Sequence, residues 1–188
     1  MKLGCVIMAA GAGSRFGANK LLADFRGEPM VCRALDAVPE DLFCRVRVVT
    51  GYGPVASLAA ARGFEVTEND RPELGISRTI RLGLQELGEC DGVLFMTADQ
   101  PLLTAGTIRK LAARFQQEPG CIAAAACQGK RGNPCLFPRS LFPELLALEG
   151  DTGGSRVIRR HPELVRLVET KEEELTDCDT LQALRELE

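Results

Sequence analysis

The sequence predicts a three-layer α/β/α fold with a mostly parallel central sheet. Two observations support this prediction. Short apolar runs alternate along the chain with segments that have helical spacing, and several of these runs are apolar at every position. A fully apolar run is typical of a strand that is covered by helices on both faces of a parallel sheet. Because such sheets bind ligands at the carboxyl ends of their strands, polar residues that follow strands are the first candidates for a site.

Each element has its own local signal. The predicted strands cover residues 3–8, 45–50, 64–67, 93–97, 122–126, 134–137 and 164–168. The predicted helices cover residues 30–38, 55–62, 78–87, 105–117 and 140–148, a short segment ending near 160, and residues 181–187. Pro29 suits a first helical turn, Gly63 suits a helix C-terminus, and Ser77 and Thr104 are good N-caps. Residues 68–75 and 128–133 are polar and are expected to form a loop and a turn.

The bulk properties indicate one soluble globular domain over residues 1–188, because 45% of the residues are hydrophobic and 26% are charged. A net charge of −3 provides no long-range attraction to nucleic acid or to an anionic membrane. No segment approaches the roughly 20 apolar residues of a membrane span, and the N-terminus does not resemble a signal peptide. Neither nucleic acid nor a membrane is therefore expected as a partner, and local cations must hold any anionic ligand.

The chain contains eight cysteines but no C-x-x-C pair. Several of them lie in strand-like apolar runs, where a thiol acts as a small hydrophobic group. We expect all of them to be reduced and buried, which indicates a cytoplasmic protein. A site for a soft metal stays open as an alternative.

The first strand leads into a loop of small residues, Ala9 to Gly13, followed by the cations Arg15 and Lys20. Small residues let the backbone approach a ligand closely, and exposed N–H groups with fixed positive charge suit a polyphosphate.

The glycine spacing of this loop separates it from two well-known phosphate-binding loops. Gly11, Gly13 and Gly17 are one residue too widely spaced for a dinucleotide fingerprint. Lys20 is followed by Leu21 rather than by the Ser or Thr of a P-loop.

Asp99 follows the fully apolar fourth strand, so its carboxylate is expected beside the phosphate loop. Mg²⁺ commonly bridges such an aspartate and phosphate oxygens. A turn or helix-start aspartate is the alternative. The only histidine, His161, lies in a polar corner, so no general base is evident. An attacking phosphate monoester supplies its own nucleophile, so this absence favours nucleotidyl transfer over hydrolysis.

Five segments in order carry a family resemblance, and together they run from Leu3 to Thr180. The first segment is the small-residue loop, which resembles an LAAG motif and continues through Ser-Arg-Phe-Gly to Lys-Leu-Leu. The other four are Asn69 with Gly75–Arg78, Asp-Gln-Pro from Asp99, Arg-Gly-Asn-Pro from Arg131, and Asp-Cys-Asp-Thr from Asp177. The chain resembles the nucleotidyltransferases of the molybdenum cofactor family. It is most similar to the cytidylyltransferases, because Ala10 stands where the guanylyltransferases usually carry Gly.

The resemblance implies a Rossmann-like, glycosyltransferase-A-like nucleotidyltransferase fold and Mg²⁺-dependent transfer of CMP from CTP to molybdopterin, with release of pyrophosphate. It assigns catalysis to Arg15, Lys20 and Asp99, and the metal to Asp99 and Asp179, with Asp151 as a rival second ligand. The implied nucleotide-binding residues are Ala9, Ala10, Gly11, Ala12, Gly13, Ser14, Arg15, Lys20, Asn69 and Ser77. The implied acceptor-binding residues are Arg78, Arg131, Asn133 and Asp151. The implied partners are CTP, a molybdopterin-type cofactor and a molybdoenzyme apo-protein that receives the product.

Four positions depart from the family pattern: Ile76 replaces Met, Arg78 replaces Ser, Asn133 replaces His and Leu181 replaces Pro. Three alternative functions therefore stay open. The same chemistry could use GTP, or a sugar or alcohol phosphate as acceptor. The chain could be a non-catalytic chaperone that carries the cofactor to an apo-enzyme. An NAD-binding reductase is disfavoured by the glycine spacing.

Overall fold

The computed structural model describes residues 1–11 and 19–187. The strands are β1 (Leu3–Met8), β2 (Asp24–Phe25), β3 (Glu28–Pro29), β4 (Arg45–Thr50), β5 (Glu65–Glu68), β6 (Gly92–Thr97), β7 (Ile122–Cys127), β8 (Lys130–Pro138) and β9 (Val165–Glu169). The helices are α1 (Met30–Asp36), α2 (Gly53–Ala61), α3 (Ile76–Glu86), α4 (Ala105–Gln117), α5 (Phe142–Leu146), α6 (Ser155–Arg160) and α7 (Leu181–Glu186). The strands β2 and β3 pair as a small antiparallel hairpin, apart from the main sheet.

Seven strands of the described chain form one sheet in the order β5-β4-β1-β6-β8-β7-β9. Only β8 runs antiparallel to its neighbours, so the sheet is mostly parallel, as predicted. From β1 the chain first builds outward through β4 to β5 and then crosses back to place β6 on the other side of β1. The order of the strands therefore reverses at β1 and β6, and this switch point is where open α/β sheets bind ligands.

Apolar side chains cover both faces of the sheet, as the fully apolar strands predicted. On one face, Cys5 and Ile7 of β1 belong to a cluster with residues of α1, α2 and α4. On the other face, Val6 of β1 and Phe95 of β6 pack with residues of α3, α5 and α6. Burial of this kind contributes roughly 25 cal/mol per Å² of apolar surface. The rigid sheet in turn holds the ends of β1 and β6 in a fixed relation.

Two local predictions were wrong. Helix α3 begins at Ile76 with Gly75 as its N-cap, so Ser77 lies inside the first turn and does not cap the helix. Gly75 adopts a φ of 89°, a conformation that favours glycine over an ordinary capping residue. The predicted turn at 128–133 ends early, because Lys130 to Asn133 already belong to β8. Pairing with β7 extends this strand toward its polar end.

All eight cysteines are free thiols, and Cys44 is exposed and Cys127 half-buried, which corrects the expectation that all of them are buried. Burial raises the pKa of the Cys135 thiol to about 11. None of the helices in residues 1–11 and 19–187 combines the length and apolar character that crossing a bilayer requires.

Candidate active site

A cleft of about 700 Å³ opens at the carboxyl ends of β1 and β6. The register of the two strands places Met8 beside Thr97, so Ala9 to Gly11 and Ala98 to Asp99 leave the sheet next to each other. The backbone N–H of Ala98 donates to the carbonyl oxygen of Met8 at 3.1 Å, and this bond holds the two segments together where they leave the sheet. The residues that follow both strands line the cleft, and its volume lies within the range of small-molecule sites.

Lys20, Asp99 and Asp179 meet at this edge of the sheet, although they are far apart in sequence. The Nζ atom of Lys20 donates to Oδ2 of Asp99 at 2.6 Å and to Oδ1 of Asp179 at 2.8 Å. The Lys20 side chain is 12% exposed and that of Asp99 is 18% exposed, whereas Asp179 is 61% exposed. Burial by itself lowers the pKa of Lys20, but the hydrogen bonds to Asp179 and Asp99 outweigh it and raise the pKa. The ammonium is thus charged and sits between two carboxylates.

The carboxylates fit a hard divalent cation. Asp99 Oδ1 is buried and has no hydrogen-bond partner within the described residues. A buried carboxylate oxygen without a partner is unusual and costly, and a cation is a natural partner for it. Among the described residues no three His, Cys, Asp or Glu side chains form a complete metal site. Proteins usually bind Mg²⁺ through one or two carboxylates together with substrate phosphates.

Asp179 reaches the site because the chain before α7 is tied to the loop after β6. The N–H of Cys178 donates to the carbonyl oxygen of Asp99 at 2.9 Å, and Cys178 itself is buried. Thr180 caps α7, since its hydroxyl accepts from the N–H of Ala183 at 3.1 Å. Partial desolvation, with the charges of Asp99 and Asp179, raises the pKa of Asp177 to about 6. Negative charge is therefore concentrated here.

The small-residue loop is held from behind by two side chains of the β4–α2 turn. The Thr50 hydroxyl donates to the carbonyl oxygen of Ala9 at 2.9 Å, and the Tyr52 hydroxyl donates to that of Gly11 at 3.1 Å. Ala9 and Ala10 are buried and, with Gly11, line the cleft. A ligand in the cleft would therefore meet a backbone surface that is positioned in advance.

The opposite wall is formed where Gly75 contacts Gly150 and Asp151. A Cβ atom on Gly75 would lie 2.4 Å from the carbonyl carbon of Gly150 and 2.6 Å from the nitrogen of Asp151. The N–H of Ser77 donates to the carbonyl oxygen of Gly150 at 3.3 Å. Gly75, Gly150 and Asp151 all line the cleft, so this backbone contact shapes it.

We expect Gly75→Ala to lower the free energy of unfolding by about 2–3 kcal/mol, because the new methyl group meets backbone atoms and the φ of Gly75 is strained for alanine. Urea denaturation measures the change. Gly129→Ala is the matched control, since Gly129 also has a positive φ but a Cβ atom there meets nothing within 4 Å. Equal losses in the two variants would contradict the importance of the contact with Gly150.

Asn69 and Ser77 lie behind the cleft rather than on its lining, and both are buried. Asn69 donates from Nδ2 to the Thr79 hydroxyl at 3.1 Å and accepts from Nε of Arg78 at 3.0 Å. Arg78 also forms an ion pair with Asp70. The structure therefore shows these residues joining the β5–α3 loop to α3, and their contacts with substrate stay a prediction.

Arg131 and Asn133 line a second cavity of about 80 Å³, which has Phe95 and Phe137 in its wall. Both cavities are lined by Met8 and Ile76, so they are neighbours. The guanidinium of Arg131 donates to the Ser155 hydroxyl at 3.1 Å. Asp151 lines the large cleft instead, and Arg78 lies in α3 outside both linings, so the structure does not bring the four predicted acceptor residues into one place.

The predicted residues Ala12, Gly13, Ser14 and Arg15 lie outside the described residues. Sequence reasoning did not single out Tyr52, Thr79 or Gly150. Tyr52 is the single tyrosine of the chain, but its role depends on a contact across 41 positions of sequence. Thr79 and Gly150 enter the cleft only through the packing of α3 against the α5–α6 loop.

Comparisons with known proteins agree with this architecture. The family described as "MobA-like NTP transferase domain" matches residues 5–165. Rv0371c from Mycobacterium tuberculosis H37Rv superposes with a TM-score of 0.80 at 26% identity, over 100% of this chain and 97% of that chain. A further structure of Rv0371c is a complex with manganese. The likeness confirms the predicted fold class.

Two curated relatives are similar in sequence. The bifunctional protein GlmU of Rhizorhabdus wittichii is 36% identical over 123 residues, which cover 63% of this chain and 27% of GlmU. The matched stretch thus spans about a quarter of that protein. Nicotine blue oxidoreductase of Paenarthrobacter nicotinovorans is 27% identical over 194 residues, covering 97% of this chain and 94% of that protein.

Proposed function

Because the chain belongs to the MobA-like NTP transferase domain family, we propose that it transfers CMP from CTP to the terminal phosphate of a molybdopterin-type cofactor. In this reaction an oxygen of the acceptor phosphate forms a bond to the α-phosphorus of CTP. The bond from the α-phosphorus to the bridging oxygen of the β-phosphate breaks, and pyrophosphate leaves. We further propose that residues 1–188 act as one domain, that the protein is cytoplasmic, and that a molybdoenzyme apo-protein receives the product.

The observation that carries the proposal is the meeting of Lys20, Asp99 and Asp179 at the carboxyl ends of β1 and β6. Transfer of a phosphoryl-type group needs positioning and charge neutralisation more than covalent help from the protein. A charged lysine and a carboxylate that closely follows the end of β6 supply both. Arg15, which follows the same loop in sequence, is proposed to add a second cation toward the phosphates.

Asp99 and Asp179 would hold Mg²⁺, which when bound would neutralise charge on the phosphate oxygens. Lys20 is then free to turn from the carboxylates toward the phosphates, because a flexible four-carbon stem carries its ammonium. The backbone of Ala9 to Gly11, held by Thr50 and Tyr52, is proposed to accept the nucleoside. Asn69 and Ser77 would support the nucleotide indirectly, by holding the β5–α3 loop and the start of α3 in place.

The second cavity is proposed to hold the acceptor. It adjoins the large cleft at Met8 and Ile76, so an acceptor there can present its phosphate to a nucleotide in the cleft. Arg131 supplies positive charge, and Asn133 supplies both hydrogen-bond donors and an acceptor. Asp151 is proposed to act from the wall of the large cleft, and Arg78 is proposed to act from α3. Phe95 and Phe137 add apolar surface for a ring system.

Two other functions are worth testing against the proposal. The relative named nicotine blue oxidoreductase, which matches 97% of this chain, makes a reductase the second candidate. The spacing of Gly11, Gly13 and Gly17 does not match a dinucleotide fingerprint, which argues against it. A non-catalytic carrier of the cofactor would bind the same ligands without releasing pyrophosphate.

A transfer assay separates these possibilities. The purified protein is incubated with Mg²⁺, each of the four nucleoside triphosphates in turn, and either molybdopterin or a hexose 1-phosphate. We expect pyrophosphate release that requires molybdopterin and is fastest with CTP, and a CMP-containing product by chromatography. Parallel samples with NADH and NADPH, followed by absorbance, should show no oxidation of either.

Three outcomes would contradict the proposal in different ways. Faster reaction with GTP or with the hexose phosphate would support nucleotidyl transfer but contradict the proposed substrates. Binding of CTP and molybdopterin, seen as a rise in melting temperature, without pyrophosphate would favour a carrier. Oxidation of NADH or NADPH would favour a reductase.

A further inference from the structure

Glu174 is a buried carboxylate that the proposed chemistry does not use. It lies in the 3₁₀ turn Glu172–Leu175, shortly before Asp179, and is only 7% exposed. Charged side chains are seldom buried unless they are paired or fully hydrogen-bonded. The position of Glu174 therefore needs an explanation in terms of its contacts.

Four hydrogen bonds satisfy the Glu174 carboxylate, and they come from Thr104 and Thr107 at the start of α4 and from Thr170, which follows β9. Its Oε2 atom accepts from the N–H of Thr104 at 3.1 Å, from the Thr104 hydroxyl at 2.7 Å and from the Thr107 hydroxyl at 2.7 Å. Its Oε1 atom accepts from the Thr170 hydroxyl at 2.8 Å. Burial by itself raises the pKa of Glu174, but these hydrogen bonds together lower it. The ionised carboxylate also suits the N-terminus of α4.

These bonds are part of a longer connection between two segments, which we name the β6–α4 loop (residues 98–104) and the C-terminal segment (residues 172–179). The Gln100 amide donates to the carbonyl oxygen of Leu175 at 3.1 Å. The N–H of Cys178 donates to the carbonyl oxygen of Asp99 at 2.9 Å. The two segments are therefore joined at three successive places, of which Glu174 is the one farthest in sequence from Asp179.

The two segments carry the two carboxylates of the site. Asp99 belongs to the β6–α4 loop and Asp179 ends the C-terminal segment, and Lys20 bridges them. Asp99 is anchored by β6, whereas β9 ends at Glu169, ten positions before Asp179. Besides its bond to Lys20 and the helix α7 that follows it, Asp179 is placed by the contacts of the C-terminal segment, and Glu174 makes four of those contacts through one side chain.

We propose that Glu174 is a positioning residue, which sets the separation of Asp99 and Asp179 by fastening the C-terminal segment to the start of α4. This inference rests on the proposed function, in which the two aspartates hold the divalent cation. It predicts that Glu174 controls metal affinity without contacting the metal.

Mn²⁺ alone is the probe for the test, and its binding to the full chain is followed by loss of the free-ion signal in electron paramagnetic resonance. We expect Glu174→Gln to weaken Mn²⁺ binding by about tenfold or more, because supporting residues at metal sites typically have effects of this size. The amide keeps the shape of the side chain, but it lacks the negative charge and replaces one of the two accepting oxygens with an NH2 group, which cannot accept a hydrogen bond from a threonine. In transfer assays, more Mg²⁺ should be needed for half-maximal rate, and kcat should recover at saturating Mg²⁺.

Glu118→Gln is the matched control. Glu118 is a fold-linking carboxylate that accepts hydrogen bonds from Arg114 of α4 and Arg166 of β9, and it does not line the cleft. Its variant should lose thermal stability yet keep wild-type Mn²⁺ affinity. Should Glu174→Gln fold poorly, Thr170→Val removes the bond to Oε1 and the contact of the Thr170 hydroxyl with the Thr107 hydroxyl, while the bonds to Oε2 stay, and it should weaken Mn²⁺ binding in the same direction.

Unchanged Mn²⁺ affinity in a folded Glu174→Gln or Thr170→Val variant would overturn the inference and leave the proposed function intact. Wild-type protein that fails to bind Mn²⁺ would overturn the inference together with the metal role of the aspartates. If Glu174→Gln selectively weakens Mn²⁺ binding but the wild-type protein releases no pyrophosphate, the positioning role stands and the proposed reaction fails.

Discussion

Replacement of Asp99 by Asn is expected to lower the rate of CMP transfer by about a thousandfold, equivalent to about 4 kcal/mol of transition-state stabilisation. Asn keeps the shape of the side chain but lacks the charge and one carboxylate oxygen. Oδ1 of Asp99 is the buried oxygen that has no partner among the described residues, so it is available to a cation. Steady-state pyrophosphate release measures the rate, and Mn²⁺ titration should show weaker binding in the same variant.

Asp41→Asn is the matched control for Asp99→Asn. Asp41 is an exposed carboxylate that pairs with Arg109, and it does not line either cavity. Its variant should transfer CMP at the wild-type rate. More than a tenth of wild-type activity in a folded Asp99→Asn protein would contradict the assignment of Asp99.

Replacement of Lys20 by Met is expected to move two measurements in opposite directions. CMP transfer should fall by about a hundredfold, since removal of one preorganised charge from a developing anion typically costs this much. Mn²⁺ binding without nucleotide should become tighter, because the ammonium now competes with the cation for Asp99 and Asp179. Rate assays and Mn²⁺ titration on the same preparation check both.

The opposite changes distinguish this explanation from general damage to the fold, which would weaken both properties. Lys110→Met is the control, since Lys110 lies exposed on α4 and outside both cavity linings. Lys20→Arg should be intermediate in rate, because a guanidinium keeps the charge but not the compact ammonium. Weaker Mn²⁺ binding by Lys20→Met would contradict competition between lysine and metal.

Much of the fold could be predicted from hydrophobic pattern. The run from Leu3 to Met8 and that from Arg45 to Thr50 are strands with the predicted bounds. The first is buried almost throughout and the second is rich in valine, and both patterns favour strands. Thr104 caps α4 as predicted, through its bond to the N–H of Thr107. Ser77 failed as a cap because the contact of Gly75 with Gly150 sets where α3 begins. That contact joins residues 75 positions apart, so no local pattern contains it.

The candidate site was predictable in part. Lys20 and Asp99 could be placed together because each follows a strand expected in one parallel sheet, and Asp179 was a candidate through family resemblance. The separation of these groups was not predictable, because it depends on how residues 172–179 fasten to residues 98–104. Nothing in the run of glutamates from Glu172 to Glu174 distinguishes the buried member from its two exposed neighbours.

By itself, the sequence determined the layers of this protein, the strand ends that could carry a phosphate site, and the residue types available there. These properties follow from hydrophobic period and backbone preference, which act over a few neighbouring residues. Only the tertiary structure decided that Lys20 lies between two carboxylates, that Gly75 and Gly150 shape the cleft wall, and that Glu174 is buried among three threonines. Each of these is a contact between distant segments, and its distance and burial are set by the packing of the whole chain rather than by any part of it.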